Sequence, residues 1–167
     1  LGTDQCDFNG VVAMGTGVVV RCTNLEVRHC GKSGVVAIMG ASITLIGAKT
    51  TVHHNCTKED SDAYGLHVSL LQVAGSSSTI QLVSPLTKEQ VSHDNVGGGN
   101  WGADMGGDIN QIKTLTEAEM EAVVAAKARG EVRVPDDCNT LEEAVKKVRE
   151  DGCLTTIVLG EGEHQID

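Results

Sequence analysis

The sequence predicts an all-β solenoid. Residues 1–115 read as a right-handed parallel β-helix with coils of about 24 residues, followed by two short helices and a further strand. Three observations predict it. The chain repeats itself at a spacing in the low-to-mid twenties, the repeated pieces are short and rich in Val and Ile, and Gly, Asn, Ser or Cys turns separate them.

The repeat is visible by direct superposition. "DQCDFNGVVAMGTGVVV", from Asp4, lies over "RHCGKSGVVAIMGASITL", from Arg28. Cys6 then falls on Cys30, Val11, Val12 and Ala13 fall on Val35, Val36 and Ala37, and Val18 falls close to Ile43 with one residue inserted. "LEVRHC" over "TTVHHNC" places Val27 on Val52. A looser third copy runs through "YGLHV", "GSSSTIQLV" and "EQVSHDN", matching Gly65 to Gly34, Ile80 to Ile43 and Val91 to Val52. A degenerate fourth copy runs through "NWGADMGGDINQI".

Within one copy, "GVVA", "GVVVRC" and "LEVRH" are each too short for a helix and are bounded by turn residues. Three short strands per copy imply coils that pair in parallel at a spacing of about 4.8 Å. Leucine-rich repeats share the period but require a fixed run of leucines, which this chain lacks. Stacking sorts the repeated positions into columns. Val27, Val52 and Val91 form an inward column, and Cys6, Cys30 and Asn55 a structural ladder at a turn. His29, His54 and His93 form a third column at a corner or on the surface.

Composition limits the partners. Of 167 residues, 23 are acidic and 13 basic, and the pI is near 4.9, the wrong balance for a phosphate backbone. Residues 116–167 hold 13 of the acids, marking a change of architecture near residue 115. Phe8, Tyr64 and Trp101 are the only aromatics, so the core is built from small and branched aliphatic side chains. No apolar run approaches the roughly 20 residues of a membrane span, so membrane insertion is not expected. Leu1 is not a start methionine and no signal pattern follows it, which suggests an internal or processed piece of chain. Six cysteines permit disulfides, but there is no CxxC pair, and both a secreted and a cytosolic location remain open. Asn55, Cys56 and Thr57 spell a glycosylation sequon of a kind that arises often by chance.

The tail reads differently. In "TEAEMEAVVAAKARG", Thr116 and Glu119 form a capping box, Met120, Val123 and Val124 an apolar stripe, and Gly130 a stop. "TLEEAVKKVREDG" repeats the logic with Thr140 and Glu143, the stripe Leu141, Ala144, Val145 and Val148, and Gly152. "TTIVLGEG" then reads as a buried strand running into a turn.

The stretches "SGVVA…GASITLIGAKTTVHHNC", "GSSSTIQLVSPLTKEQVSHDN" and "TLEEAVKKV…TTIVLGEGEHQI" resemble the pectin-lyase-like right-handed β-helix proteins, in particular the multicopy β-helix proteins of eukaryotic algae. The resemblance covers nearly the whole chain. Proteins of this kind place a "TLxEAV" helix and an "IVLGxGxH" strand at the start of a β-helix. The resemblance therefore implies C-terminal coils of one β-helix over 1–115, a helical linker or cap over 116–131, and the cap helix and first strand of a second over 132–167. It implies nothing so definite about activity, because this fold hosts lyases, hydrolases, binding modules and passive scaffolds.

Chemistry on such a fold needs convergent side chains. Lyases use a base beside carboxylates that often hold calcium, and hydrolases use two or three acids on one face. The surface candidates for ligand binding are Arg28 and His53 on adjacent coils, Asp60 and Asp62 in "CTKEDSDAYG", and Trp101, Asp104 and Asp108 in "NWGADMGGD". Trp101 could stack on a sugar ring. The Asp60 loop has a calcium-like alternation of acids but lacks the central glycine and closing glutamate of an EF-hand, so neither cofactor nor metal is assigned. Aligned histidines could share an ion only with a further ligand. There is no GxSxG and no nucleotide-binding glycine motif, and no catalytic residue is identified. The expectation is a non-catalytic β-helix scaffold or binding module, with polysaccharide the ligand class that the resemblance implies. The alternatives are a carbohydrate-active lyase or glycoside hydrolase with catalytic residues partly outside this chain, and a protein-interaction solenoid.

Overall fold

The computed structural model describes residues 2–70, 77–134, 138, 140–150 and 156–159. They fall into two compact units, 1–117 and 118–167.

The first unit is built of short strands that all pair in parallel. Its first sheet runs β1 (Gly2–Asp4), β4 (Glu26–Arg28), β7 (Thr51–His53) and β10 (Ser92–His93). The second runs β2 (Val11–Met14), β5 (Val35–Ile38), β8 (Tyr64–Ser69) and β11 (Gly99–Asp104). The third runs β3 (Val19–Thr23), β6 (Ser42–Ile46), β9 (Thr79–Val83) and β12 (Ile112–Leu115). Each strand thus pairs with the strand three places further along the chain. Every return to the same sheet lands one strand over, which is how the sequence repeat is expressed in space.

Register turns that repeat into columns. Val11, Val35, Leu66 and Trp101 stand opposite one another, as do Ala13, Ala37, Val68 and Ala103. In the third sheet Val20, Ile43, Ile80 and Ile112 align. Val20, not Val18, therefore faces Ile43. These inward positions from all three sheets merge into one core with Val27, Val52, Leu25 and Leu86. Strand alternation points every second side chain into it, and burial of this aliphatic area drives folding.

One corner recurs at the start of the second sheet's strands. A Cβ on Gly34 would lie 2.4 Å from Val52 Cγ1, 2.8 Å from the Gly65 carbonyl and 3.0 Å from Asn55 Nδ2. Gly10 meets Val27, Gly34 and Cys30 at the same three distances. The ladder beside it holds Cys6, Cys30, Asn55 and Asn95 on successive strands. Asn55 Oδ1 accepts the Cys30 N–H at 3.1 Å while its Nδ2 donates to the Val27 carbonyl at 3.1 Å. Asn95 does the same one strand on, accepting from Asn55 N–H and donating to Val52 O, both at 3.0 Å. Each amide thereby satisfies backbone groups that the turn leaves without strand partners.

The third return departs from the sequence expectation. Val91 does not join the column of Val27 and Val52; Ser92 stands opposite Val52 and His93 opposite His53. The reason is local. Thr87 and Gln90 form a reciprocal capping box that winds Lys88–Val91 into a helical turn, α1, and this consumes residues read as strand. Val91 is still fully buried, but from the helix. His29 and His54 share the corner position after the strand with Gln5 and Asp94, all four at φ between 52° and 56°, so His93 is not their neighbour in register.

In the second unit, α2 (Glu117–Arg129) precedes β13 (Glu131–Val134), α3 (Leu141–Glu150) and β14 (Thr156–Leu159). Gly130, at φ 68°, ends α2. Met120 is buried but Val124 is exposed, so the stripe read for α2 is narrower than its sequence suggested. Thr140 Oγ1 accepts the Glu143 N–H at 3.2 Å and caps α3. β13 and β14 pair in parallel, with Val132 opposite Ile157, and Val132, Val134, Cys138 and Ala144 share a small core. The sequence led us to expect one strand here, and there are two. Gly152 and the turn after β14 lie outside the described residues.

The corner gives a direct test. Gly34→Ala should cost about 3 kcal/mol, because the new methyl must displace Val52 and a backbone carbonyl together. Urea denaturation reads it as a lower midpoint; a midpoint within error of the parent would show that the corner relaxes freely.

Candidate functional site

The densest set of polar side chains lies on the outward face of the first sheet. With Thr3, Val27, Val52 and Ser92 facing inward, alternation turns Asp4, Arg28, His53 and His93 outward in one line. The left-handed residues that follow, His29, His54 and Asp94, set a second line beside it. At about 4.8 Å per strand, four strands carry these lines over about 14 Å.

The strip is cross-linked by charge. Arg28 Nη2 lies 3.0 Å from Asp4 Oδ2, and Nη1 lies 3.5 Å from Glu26 Oε1. His29 Nδ1 is 3.0 Å from Asp4 Oδ1, and His93 Nδ1 is 2.9 Å from Asp94 Oδ2. His53 stacks flat on His93, ring centroids 5.3 Å apart, and its Nδ1 meets His54 Nδ1 at 2.7 Å. That last contact requires one ring to donate and the other to accept, so it is made by at least one neutral imidazole. Burial, then His54 and His93, hold the His53 pKa below its ordinary value; Glu26 opposes them. Asp4 and Asp94 are held below the usual carboxylate range, foremost by hydrogen bonds from His29 and His93. Exposed ion pairs of this kind contribute little to stability.

Among the described residues, no three metal-ligating side chains gather around one point. The Asp60 loop is a turn held by its own groups. Asp60 Oδ1 accepts the Asp62 N–H at 3.1 Å and Oδ2 lies 3.5 Å from Lys32 Nζ, while Asp62 stays exposed at the loop surface.

Other sequence candidates are dispersed. Trp101 continues the inward column after Leu66 and packs partly buried against the core, with Lys88 Nζ 5.6 Å from its ring centre. Its ring therefore does not form an outward platform for a sugar. Asp108 Oδ1 accepts from the backbone and side-chain amides of Asn110, both at 2.9 Å, and caps a 3-10 turn. Asn55 is fully buried with its amide engaged, so the sequon it opens is no glycosylation acceptor in the folded chain.

A second cluster escaped the sequence reading. Ser33 Oγ lies 3.0 Å from His67 Nδ1, and His67 Nε2 lies 3.0 Å from Asp104 Oδ1. Tyr64 N–H donates to Ser33 Oγ at 3.1 Å, and the Tyr64 ring rests edge-on to His67 and flat over Gly98 and Gly102. The order of groups suggests a nucleophile triad, but three facts oppose it. Ser33 is 2 % exposed, so no substrate reaches its oxygen. Its Oγ is occupied by the Tyr64 amide. The His67–Asp104 approach also lacks hydrogen-bond alignment, despite its length. The Ser33 hydroxyl fastens β8 to the turn before β5 through His67 and the Tyr64 amide, and Asp104 of β11 lies against the ring. Only register could have revealed the cluster, since His67 stands opposite Gly102 and Asp104 lies two residues further along the same strand face.

Comparison with known proteins finds no matching family model, no matching curated protein and no matching solved structure. No helix among the described residues is long and apolar enough to cross a membrane.

The His53 environment fixes the sign of a pH effect. Its folded pKa lies below the free histidine value of about 6.5, so the unfolded chain binds the proton more readily. Stability is then full above that value and declines as pH falls through it toward the folded pKa. Thermal melts from pH 7.5 to 5 should show a falling Tm, and His53→Gln should flatten the slope. A slope unchanged in the variant would remove His53 as its source.

Proposed function

We propose that residues 1–115 form a right-handed parallel β-helix that acts as a non-catalytic binding module, and that the outward strip of the first sheet is its ligand surface. The ligand class we propose is a polyhydroxylated chain, a polysaccharide. The observation that carries the proposal is the line of Asp4, Arg28, His53 and His93 across four strands, flanked by Glu26, His29, His54 and Asp94. Regularly spaced donors and acceptors on a flat face suit hydroxyl groups repeated along a chain, and the imidazoles add apolar ring faces. Three parallel sheets in which each strand pairs with its third successor support the β-helix reading.

The ionisation of the strip favours binding over acid catalysis. Glycosidic cleavage needs one carboxyl group kept protonated by a raised pKa, whereas Asp4 and Asp94 are both shifted down. Polar side chains already paired with one another can exchange those partners for hydroxyls at little net cost.

The test is a glycan array probed with the whole chain, followed by titration of any glycan retained. Arg28→Ala and His53→Ala should each weaken binding by about tenfold or more, while Lys113→Ala, on the exposed face of β12, should leave it unchanged. No retention on the array, or equal loss in all three variants, would overturn the assignment of this surface.

A further inference from the structure

We propose that Cys6 and Cys30 are a disulfide-forming pair that ties the turn after β1 to the turn after β4. The two residues hold the same position in the turns that follow the adjacent strands β1 and β4. Backbone hydrogen bonds bracket them on both sides, from Gln5 N–H to Arg28 O at 3.3 Å and from Gly31 N–H to Cys6 O at 2.6 Å. Parallel neighbours about 4.8 Å apart fall within the Cα separation of roughly 4.4–6.8 Å that a disulfide spans.

Burial pushes the Cys30 thiol up from its ordinary value, and the neighbouring Cys6 backbone pulls it partly back. Cys6 is half-buried and donates weakly to Asn9 O at 3.3 Å, whereas Cys30 is fully buried. Cys6 is therefore the thiol that a soluble oxidant meets first.

The other described thiols are poorer partners. Cys22 stands opposite Leu45 among hydrocarbon side chains. Cys56 is fully buried and follows Asn55, so it stands one place past the position that Cys6 and Cys30 share.

With oxidised glutathione as oxidant, the Cys6 thiolate attacks one glutathione sulfur and the other leaves as thiolate. The Cys30 thiolate then attacks the Cys6 sulfur and expels the second glutathione. Two protein thiols become one disulfide, and two glutathione thiols take up the two electrons and two protons.

The bond would close a loop of about 24 residues and so restrict the unfolded chain, which favours the folded one.

The whole chain, incubated with oxidised and reduced glutathione, quenched with N-ethylmaleimide and digested with trypsin, tests this. Cleavage after Arg21, Arg28 and Lys32 leaves Cys6 on residues 1–21 and Cys30 on residues 29–32. The expected product is those two peptides joined, with the Tm of the oxidised chain raised by several degrees and Cys6→Ser abolishing both changes. Cys6→Ser is chosen because its half-buried site tolerates the change better than the core site of Cys30. Three results would each overturn the pairing: both peptides recovered fully alkylated, residues 29–32 joined instead to 50–58 through Cys56, or a covalent dimer.

Discussion

The structure depends on a corner with no room in it. Where Gly34 begins its strand, a valine methyl, a backbone carbonyl and the Asn55 amide occupy the space a Cβ would fill. That contact fixes how closely the first sheet approaches the second. The amide then ties the turn to the strand before it through Val27 O and Cys30 N–H. Because alternation is strict in such short strands, fixing the corner also fixes which side chains enter the core and which line the outer face. A slip of one residue would turn Val52 outward and bring His53 into the interior.

The parts of the fold that were legible in the sequence are those that the corner repeats. Cys6 over Cys30, Gly10 over Gly34 and Val27 over Val52 are carried by letters that recur at nearly constant spacing, so superposition alone places them. The third return was misread because two cues competed there. "EQVSHDN" offers a valine at the right place, but Thr87 and Gln90 offer a helix start, and a capping box outweighs a single valine in so short a segment. Trp101 misled for a similar reason. A lone tryptophan among glycines suggests an exposed platform, yet its register with Leu66 sends it inward. The meeting of Ser33, His67 and Asp104 has no local signature at all, since their nearness is created only by strand pairing between copies.

The histidine strip and the Ser33 cluster show two uses of similar side chains. His67 is enclosed by Ser33, Tyr64 and Asp104 and fastens neighbouring strands. His53 and its neighbours stand toward the surface, paired with one another. The difference follows from place: the first set is roofed by a turn and an aromatic ring, the second is open along its length. Chemical identity alone would not have separated them.

Successive corners are separated by 24, then 25, then 40 residues, yet the ladder continues without a break. The added length includes the connections over 56–63 and 84–91, where the chain leaves one sheet and rejoins another. Strand pairing records only the return, never the route taken. Such a chain can lengthen its excursions, and so acquire new surface, while every hydrogen bond of the ladder stays as it was. Growth by insertion and conservation of the frame are therefore independent events here, and variation should collect in the excursions long before it reaches a corner glycine.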